Sequence, residues 1–456
     1  MQMKSRKSLL ALTATAILLT GCSMVPDYER PSTAIPASWD GASATDTKAV
    51  TDYAQWWSRF TSPELDTLMK EALANNQDVA VALATIEQAR GALRSTNANL
   101  YPQLDASGSA SHTESDPGNL TRSASGEISV SYALDLWGEY RAQSQSAEES
   151  FKASVFDAEA TRLLVQSDVA TTYFTVLSLK DRIAYAQESL ALARETLKLV
   201  ELRNKEGLDS GITLAQQRNT VATFEASVPA LEQSLAAAKT SLAILLGRAP
   251  EGFDVTAKGL DEINLPEIAA AQPSTLLERR PDIRRAEANL KAANADIGAA
   301  RAAFFPSIDL SASLGRTVTY GATPIDAASI AGSLLAPIFS AGELEGNLQQ
   351  SKAKKAELVA TYRNTVLTSL KEVEDALVQT GTSARRETAL AQASAEAQRA
   401  YDLSEASYKA GGSSFIDVLD AQRTLLSNRD SVVQARLDRY TSAVDLFVAM
   451  GGGWQS

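Results

Sequence analysis

Tyr101-Pro102-Gln103-Leu104-Asp105-Ala106-Ser107-Gly108-Ser109-Ala110 returns further along the chain as Phe305-Pro306-Ser307-Ile308-Asp309-Leu310-Ser311-Ala312-Ser313-Leu314, an offset of 204 residues. Both stretches alternate apolar with polar side chains after the proline, the period of a strand with one apolar face. The same offset links Gly138-Glu139 to Gly342-Glu343, Gly207 to Gly411 and Leu246-Gly247 to Met450-Gly451. A fixed spacing kept by four landmarks marks the chain as two copies of one unit.

Working outward, each copy reads as helix, strand pair, very long helix, turn and helix. The first copy spans residues 63–246, with strands near 103–113 and 126–136, a long helix near 138–206 and a second helix near 212–246. The second spans 274–450, with strands near 307–317 and 329–339, a long helix near 342–410 and another near 414–449. Glu139 to Glu206 contains neither Gly nor Pro, 68 residues that as helix would extend roughly 100 Å. Val176, Leu179, Ile183, Ala186, Leu190, Ala193, Leu197 and Val200 keep the heptad rhythm of a coiled coil, as do Val221 to Leu245 beyond the turn Gly207-Leu208-Asp209-Ser210-Gly211. Two such seams joined by a turn describe an antiparallel hairpin; an ordinary core stripe would give the same spacing. Pro229 predicts a kink in the second helix, and Gly346 and Gly381 weaken the long helix of the second copy.

Ile128, Val130, Tyr132 and Leu134 also alternate with polar neighbours, and Ile330 to Ile338 does so less cleanly. Four short amphipathic strands suit a sheet with lipid on one face and water on the other, but about eight are needed to close a membrane barrel. The chain is therefore expected to oligomerise, and three copies would give twelve strands. The strand-pair tips, 112–125 and 318–329, are rich in turn residues, and the single histidine, His112, is placed there as a loop residue.

The N-terminus sets the compartment. Lys4, Arg6 and Lys7 precede an apolar run, Leu9 to Leu19, giving a signal peptide over residues 1–21. It ends in Leu19-Thr20-Gly21-Cys22, the pattern of a bacterial lipoprotein, with Cys22 as the lipid-bearing residue of a lipidated segment 22–62. Cys22 is the only cysteine, so no intrachain disulfide forms. Ser23 after it implies sorting to the outer membrane, with outer-membrane lipid as a partner. Net charge is −12, and loss of the three signal cations makes the mature chain −15. An acidic chain without basic clusters is not a nucleic-acid binder.

Nothing in the sequence points to catalysis. One histidine, one cysteine, no P-loop and no nucleophile elbow leave no catalytic, cofactor or metal constellation to name. The expected class is an α+β membrane protein that is not an enzyme and needs no cofactor.

The motifs Val25-Pro26-Asp27-Tyr28, Arg279-Arg280-Pro281-Asp282-Ile283, Ala293-Asn294-Ala295-Asp296-Ile297-Gly298-Ala299-Ala300-Arg301, Leu419-Asp420-Ala421-Gln422-Arg423 and Gly451-Gly452-Gly453-Trp454 resemble those of TolC-like outer-membrane efflux lipoproteins of the RND type, over nearly all of the mature chain. The resemblance implies a homotrimer, with a twelve-stranded outer-membrane barrel continuing into a periplasmic α-helical barrel of coiled-coil hairpins. It implies an equatorial linker at 247–273 and a tail at 451–456. It also implies two partners, a periplasmic membrane-fusion adaptor and an inner-membrane RND transporter, with drugs and other small toxic compounds as cargo.

On that pattern the hairpin tips converge into a gate. Asp417 and Asp420, three apart on one helix, would form acidic rings that hold cations, with Ile416 as an apolar constriction. Tyr408 and Arg423 match positions that fasten the closed tip, and Thr213 stands where relatives have an acidic partner. Lys205, Gly207, Lys409 and Gly411 would lie exposed where the adaptor docks. A solvated helix face is the alternative reading of the aspartates, and helix C-capping alone would equally explain the glycines. Metal-ion efflux and type I protein secretion remain alternatives within the duct class, and a surface coiled coil or adhesin lies outside it.

Overall fold

The structure, a computed structural model, describes residues 23–40, 55–114, 120–266 and 272–452. The expected signal peptide 1–21, Cys22, residues 41–54 of the lipidated segment, residues 115–119, residues 267–271 of the expected linker and the tail from Gly453 lie outside the described residues. In chain order the main elements are α1 (Pro63–Asn75), α2 (Gln77–Ala98), β1 (Gln103–Glu114), β2 (Leu120–Ala133), α3 (Glu139–Lys205), α4 (Gly211–Leu245), α5 (Pro281–Ala302), β3 (Ser307–Thr319), β4 (Ile325–Leu335), α6 (Glu343–Lys409) and α7 (Phe415–Ala449). The two copies and the four strands read from the repeat are both present. Two compact units result: residues 1–33, 84–156 and 284–365 form the first, and 34–83, 157–283 and 366–456 the second.

The first unit holds the sheet, an antiparallel meander in the order β1-β2-β3-β4 that leaves β1 and β4 as its edges. Its register sorts side chains into rows. Leu104, Val130, Ala312 and Ile330 lie opposite one another, as do Ala106, Ile128, Leu314 and Ala328. The alternate rows are polar: Asp105, Ser129, Ser313 and Ser329, then Ser107 and Glu127. Serine hydroxyls bond across this second face, Ser109 to Ser125 at 2.9 Å, Ser111 to Ser123 at 2.8 Å and Ser313 to Ser329 at 3.0 Å. The apolar face is left exposed, with Leu104, Leu314, Ile330 and Leu334 uncovered.

Strand ends differ from the sequence reading for identifiable reasons. β2 begins at Leu120 instead of near 126, because Leu120-Thr121-Arg122-Ser123-Ala124-Ser125, expected as loop, pairs residue for residue with β1. His112 is consequently not in a loop; it lies in β1 opposite Arg122. β2 stops at Ala133 because Asp135 turns away to cap α3, accepting from the Tyr140 and Arg141 backbone N–H groups at 3.1 and 3.0 Å. β3 runs two residues past its expected end by pairing Val318 and Thr319 with β2, and β4 begins four residues early, at Ile325, by pairing with β3. β4 ends at Leu335, two residues before Pro337, which has no N–H to donate to a ladder. Neither Pro229 nor the two glycines interrupts a helix: α4 and α6 run through them unbroken.

The core of the second unit is an aromatic cluster. Trp56 stacks on Phe447 with centroids 5.4 Å apart, and Phe174 meets Phe60 at 5.0 Å and Tyr440 at 5.1 Å. The segment after α4 is pinned beside it by polar contacts. Glu64 accepts from the backbone of Thr256 and Ala257 at 2.6 and 3.0 Å, and Lys180 donates to the Ala257 carbonyl at 2.8 Å. The Arg-Arg-Pro-Asp motif is structural: buried Arg280 donates to the last-turn carbonyl of Ala449 at 3.0 Å and pairs with Asp282 and Glu372, each at 2.7 Å.

Candidate functional site

The residues expected at the gate lie at the turns of the two hairpins, α3/α4 and α6/α7, all in the second unit. Each turn follows a Schellman ending in which glycine takes the left-handed conformation that a side chain resists. Gly207 has φ +72° and Gly411 φ +78°. Leu208 N–H donates to the Arg203 carbonyl at 2.8 Å, and Gly412 N–H to the Ser407 carbonyl at 2.9 Å. Serine then starts the returning helix each time. Ser210 accepts from the Thr213 N–H at 3.2 Å, while Ser414 and Asp417 form a capping box.

These turns bring the hairpins together through one buried cluster. Tyr408 is only 2% exposed and packs edge-on against Phe415 at 5.6 Å. Its hydroxyl donates to the Asp209 carboxylate in a short bond, and the same oxygen accepts from Arg203 Nε at 3.1 Å. The Arg203 guanidinium also lies 4.5 Å from the centre of the Tyr408 ring. Burial, and then the bond to Asp209, push the Tyr408 phenol well above its ordinary pKa, so it stays a donor. Further along, the seam is fastened again by Thr196 and Tyr401 (3.4 Å), Glu188 and Arg429 (3.1 Å), and Arg182 and Asp430 (2.6 Å).

Neither Asp209 nor Arg203 stands out in the sequence. Asp209 reads as an ordinary turn residue in Gly207-Leu208-Asp209-Ser210-Gly211, and only the folded hairpin puts it under Tyr408. Thr213 does not reach the cluster: its hydroxyl lies 3.1 Å from Ser210 Oγ, in the first turn of α4. Arg423 is not in it either. It is exposed on α7 and lines a cavity of about 710 Å³ with Arg182, Phe224, Leu231, Leu426 and Asp430.

The two aspartates differ in situation. Asp417 is engaged in its capping box, accepting from Ser414 N–H at 3.0 Å and Ser414 Oγ at 2.8 Å. Asp420 is exposed and makes no side-chain bond among the described residues. Ile416 is exposed beside them, whereas Phe415, Val418 and Leu419 are buried, so the helix turns its acidic face away from the seam. Lys205 ends α3 exposed, and Lys409 pairs with Glu405 at 2.9 Å. Leu208 and Ile212 are exposed apolar neighbours of the first turn.

The pattern of the outer membrane efflux protein family matches residues 68–248 and again 272–452, two spans separated by the same 204 residues as the internal repeat. The chain belongs to the outer membrane efflux protein family. It is 37% identical to the pyoverdine export outer membrane protein OpmQ of Pseudomonas aeruginosa, covering 98% of this chain and 97% of that one. It is 34% identical to the toluene efflux pump outer membrane protein TtgC of Pseudomonas putida, covering 98% and 96%. Among solved structures, the outer-membrane channel OprN superposes with a TM-score of 0.87 at 28% identity, covering 94% of this chain and 99% of that one. This efflux protein is thus a channel component of the outer membrane.

Proposed function

We propose that this efflux protein is the outer-membrane duct of a tripartite RND-type pump. It works as a homotrimer and passes drugs and other small toxic compounds from the periplasm to the exterior. The observation that carries the reading is the sheet: one face apolar and uncovered, the other lined with serine, and two edge strands. Backbone groups on an edge cannot stay unpaired in lipid. Pairing β1 of one copy with β4 of the next closes twelve strands, with the apolar rows toward lipid and the serine rows toward a water-filled lumen. The cargo reading draws on relatives named for pyoverdine export and for toluene and antibiotic efflux, beside others named for cation efflux, and on a lumen whose serine hydroxyls bond one another and read little of what passes.

The gate is the second part of the proposal. Tyr408, Asp209 and Arg203 latch one hairpin to the other within each chain and hold the tip closed. Asp420, on the exposed face of α7, supplies the cation-binding ring, with Asp417 and Ile416 beside it; Arg423 and Thr213 support the tip without touching the latch. The turns at Lys205, Gly207, Lys409 and Gly411 are where a periplasmic adaptor docks, and an inner-membrane RND transporter supplies the energy. Cys22 carries the lipid anchor. Purified protein in planar bilayers is expected to conduct ions in discrete steps, and deletion of the gene to raise drug susceptibility. Absence of conductance by correctly folded protein contradicts the duct.

A further inference from the structure

Gln422 belongs to the Leu419-Asp420-Ala421-Gln422-Arg423 motif but has no part in the latch or the acidic face. It lies in the seam of α7 between Leu419 and Leu425, both buried, and is itself only 2% exposed. Among the described residues neither its amide nitrogen nor its amide oxygen has a hydrogen-bond partner. The layer around it is apolar: Leu419 and Leu425 pack in one cluster with Val200 of α3 and with Ala397 and Tyr401 of α6. A buried amide gives up its bonds to water and is stable only where the protein replaces them.

What covers Gln422 follows from its heptad. Phe415, Gln422 and Arg429 are seven apart and share one line along α7. Arg429 touches a helix of each hairpin: it donates to Gln398 of α6 at 2.7 Å, pairs with Glu188 of α3 at 3.1 Å and stands 5.7 Å from the centre of the Tyr185 ring. That line therefore faces the join between the hairpins. The internal repeat supplies a control. The residue 204 before Gln422 is Arg218, which is exposed on α4 and pairs with Glu201 at 3.2 Å. The same helical position is thus open on the first hairpin and buried on the second, where α3 packs against it. The first hairpin buries a glutamine one position earlier. Gln217 is 0% exposed, but it donates to the Ala193 carbonyl of α3 at 2.7 Å and so ties its own hairpin together. One residue along a helix turns a side chain by about 100°, which carries Gln422 out of its own hairpin and under the neighbouring one.

We propose that Gln422 is a gate-tuning residue, whose buried amide opposes closure so that the latch holds the tip closed by only a small margin. When the hairpins part, water reaches the amide and the penalty disappears. An amide buried without partners weights the balance against the closed state by about ten- to hundredfold. The bond from Tyr408 to Asp209 acts in the other direction over the same range, so the two nearly offset each other. The inference deepens the gate proposed above and rests on it.

The test uses the full chain, recorded in planar bilayers and melted in detergent. Gln422→Met keeps the length of the side chain and removes its amide, whereas Gln422→Glu keeps the length and adds a charge that is harder to bury. Openings are read in the Tyr408→Phe background, where the closed state no longer dominates. There Gln422→Met is expected to lower the open fraction about tenfold, and Gln422→Glu to raise it. In the otherwise wild-type chain, Gln422→Met is expected to raise the melting temperature. If Gln422→Met does not accumulate, Gln422→Leu carries the same expectations. A side chain that only fills space would give shifts of the open fraction in the same direction for Met and Glu, and that result overturns the proposal. A melting temperature of Gln422→Met at or below the wild type also overturns it. If Tyr408→Phe by itself leaves the open fraction unchanged, the latch fails and the tuning with it, while the melting temperature still reports separately whether the amide is a buried penalty.

Discussion

Replacing Tyr408 with Phe removes a single oxygen from the latch. The ring keeps its packing on Phe415 and its place under the Arg203 guanidinium, and Asp209 keeps its 3.1 Å bond from Arg203. What is lost is one hydrogen bond to a charged, largely buried acceptor, worth about 1.5–3 kcal/mol. At about 1.4 kcal/mol per tenfold change, each chain shifts its closed-to-open ratio roughly ten- to hundredfold toward open. The helices themselves should be unaffected, because Tyr408 sits in the last turn of α6 with the backbone bonds of that turn intact. Single-channel recording in planar bilayers reads the effect as longer and larger openings at unchanged salt. Circular dichroism of the same sample should match the wild type. An open fraction unchanged within about twofold would refute the idea that this bond holds the tip closed, because no rearrangement of the remaining pair can replace a donor that is gone.

Other expectations follow from the same geometry. Asp420→Ala should weaken block of the channel by divalent cations, whereas Asp417→Asn should change block less and cost helix stability, about 1 kcal/mol for a cap; bilayer recording and thermal melts separate the two. Acid should loosen the segment after α4. Burial pushes the Glu64 carboxyl up, but bonds from Thr256 and Ala257 outweigh this and hold it below its ordinary 4.5. The folded state therefore binds its proton less readily than the unfolded one, and the stabilisation is present above 4.5 and is lost as pH falls through the lower folded value. Melting temperature should drop more between pH 7 and acid in the wild type than in Glu64→Gln, and equal drops would count against the assignment.

The sequence revealed most where a pattern repeats over many residues. The 204-residue offset, the gap-free run from Glu139 and the alternation around Leu104 and Ile128 each average over many positions, so the local exceptions did not matter. Strand ends were harder to read because Ser, Thr and Gly suit both a turn and a lumen-facing ladder, and only the pairing with β1 places 120–125 in a strand. The latch was half legible. Tyr408 stood out by resemblance, while its partner Asp209 sits in a turn where aspartate needs no special reason. The contact of the N-terminal segment with α5 was hidden differently: Val25-Pro26-Asp27-Tyr28 and Gly298 were both visible as motifs, but nothing in one dimension joins Val25 to Gly298, against which it packs.

Closure of the sheet between chains is the claim on which the duct, the lumen and the gate all depend. Cysteine substitution at Ser107 in β1, combined in turn with Ser329, Ala331 or Ser333 on the same face of β4, measures it by oxidation in outer membranes. Disulfide formation in at least one pairing, giving a ladder that stops at three linked chains, is the predicted outcome. A ladder that runs past three, or chains that stay single in every pairing, would contradict the account.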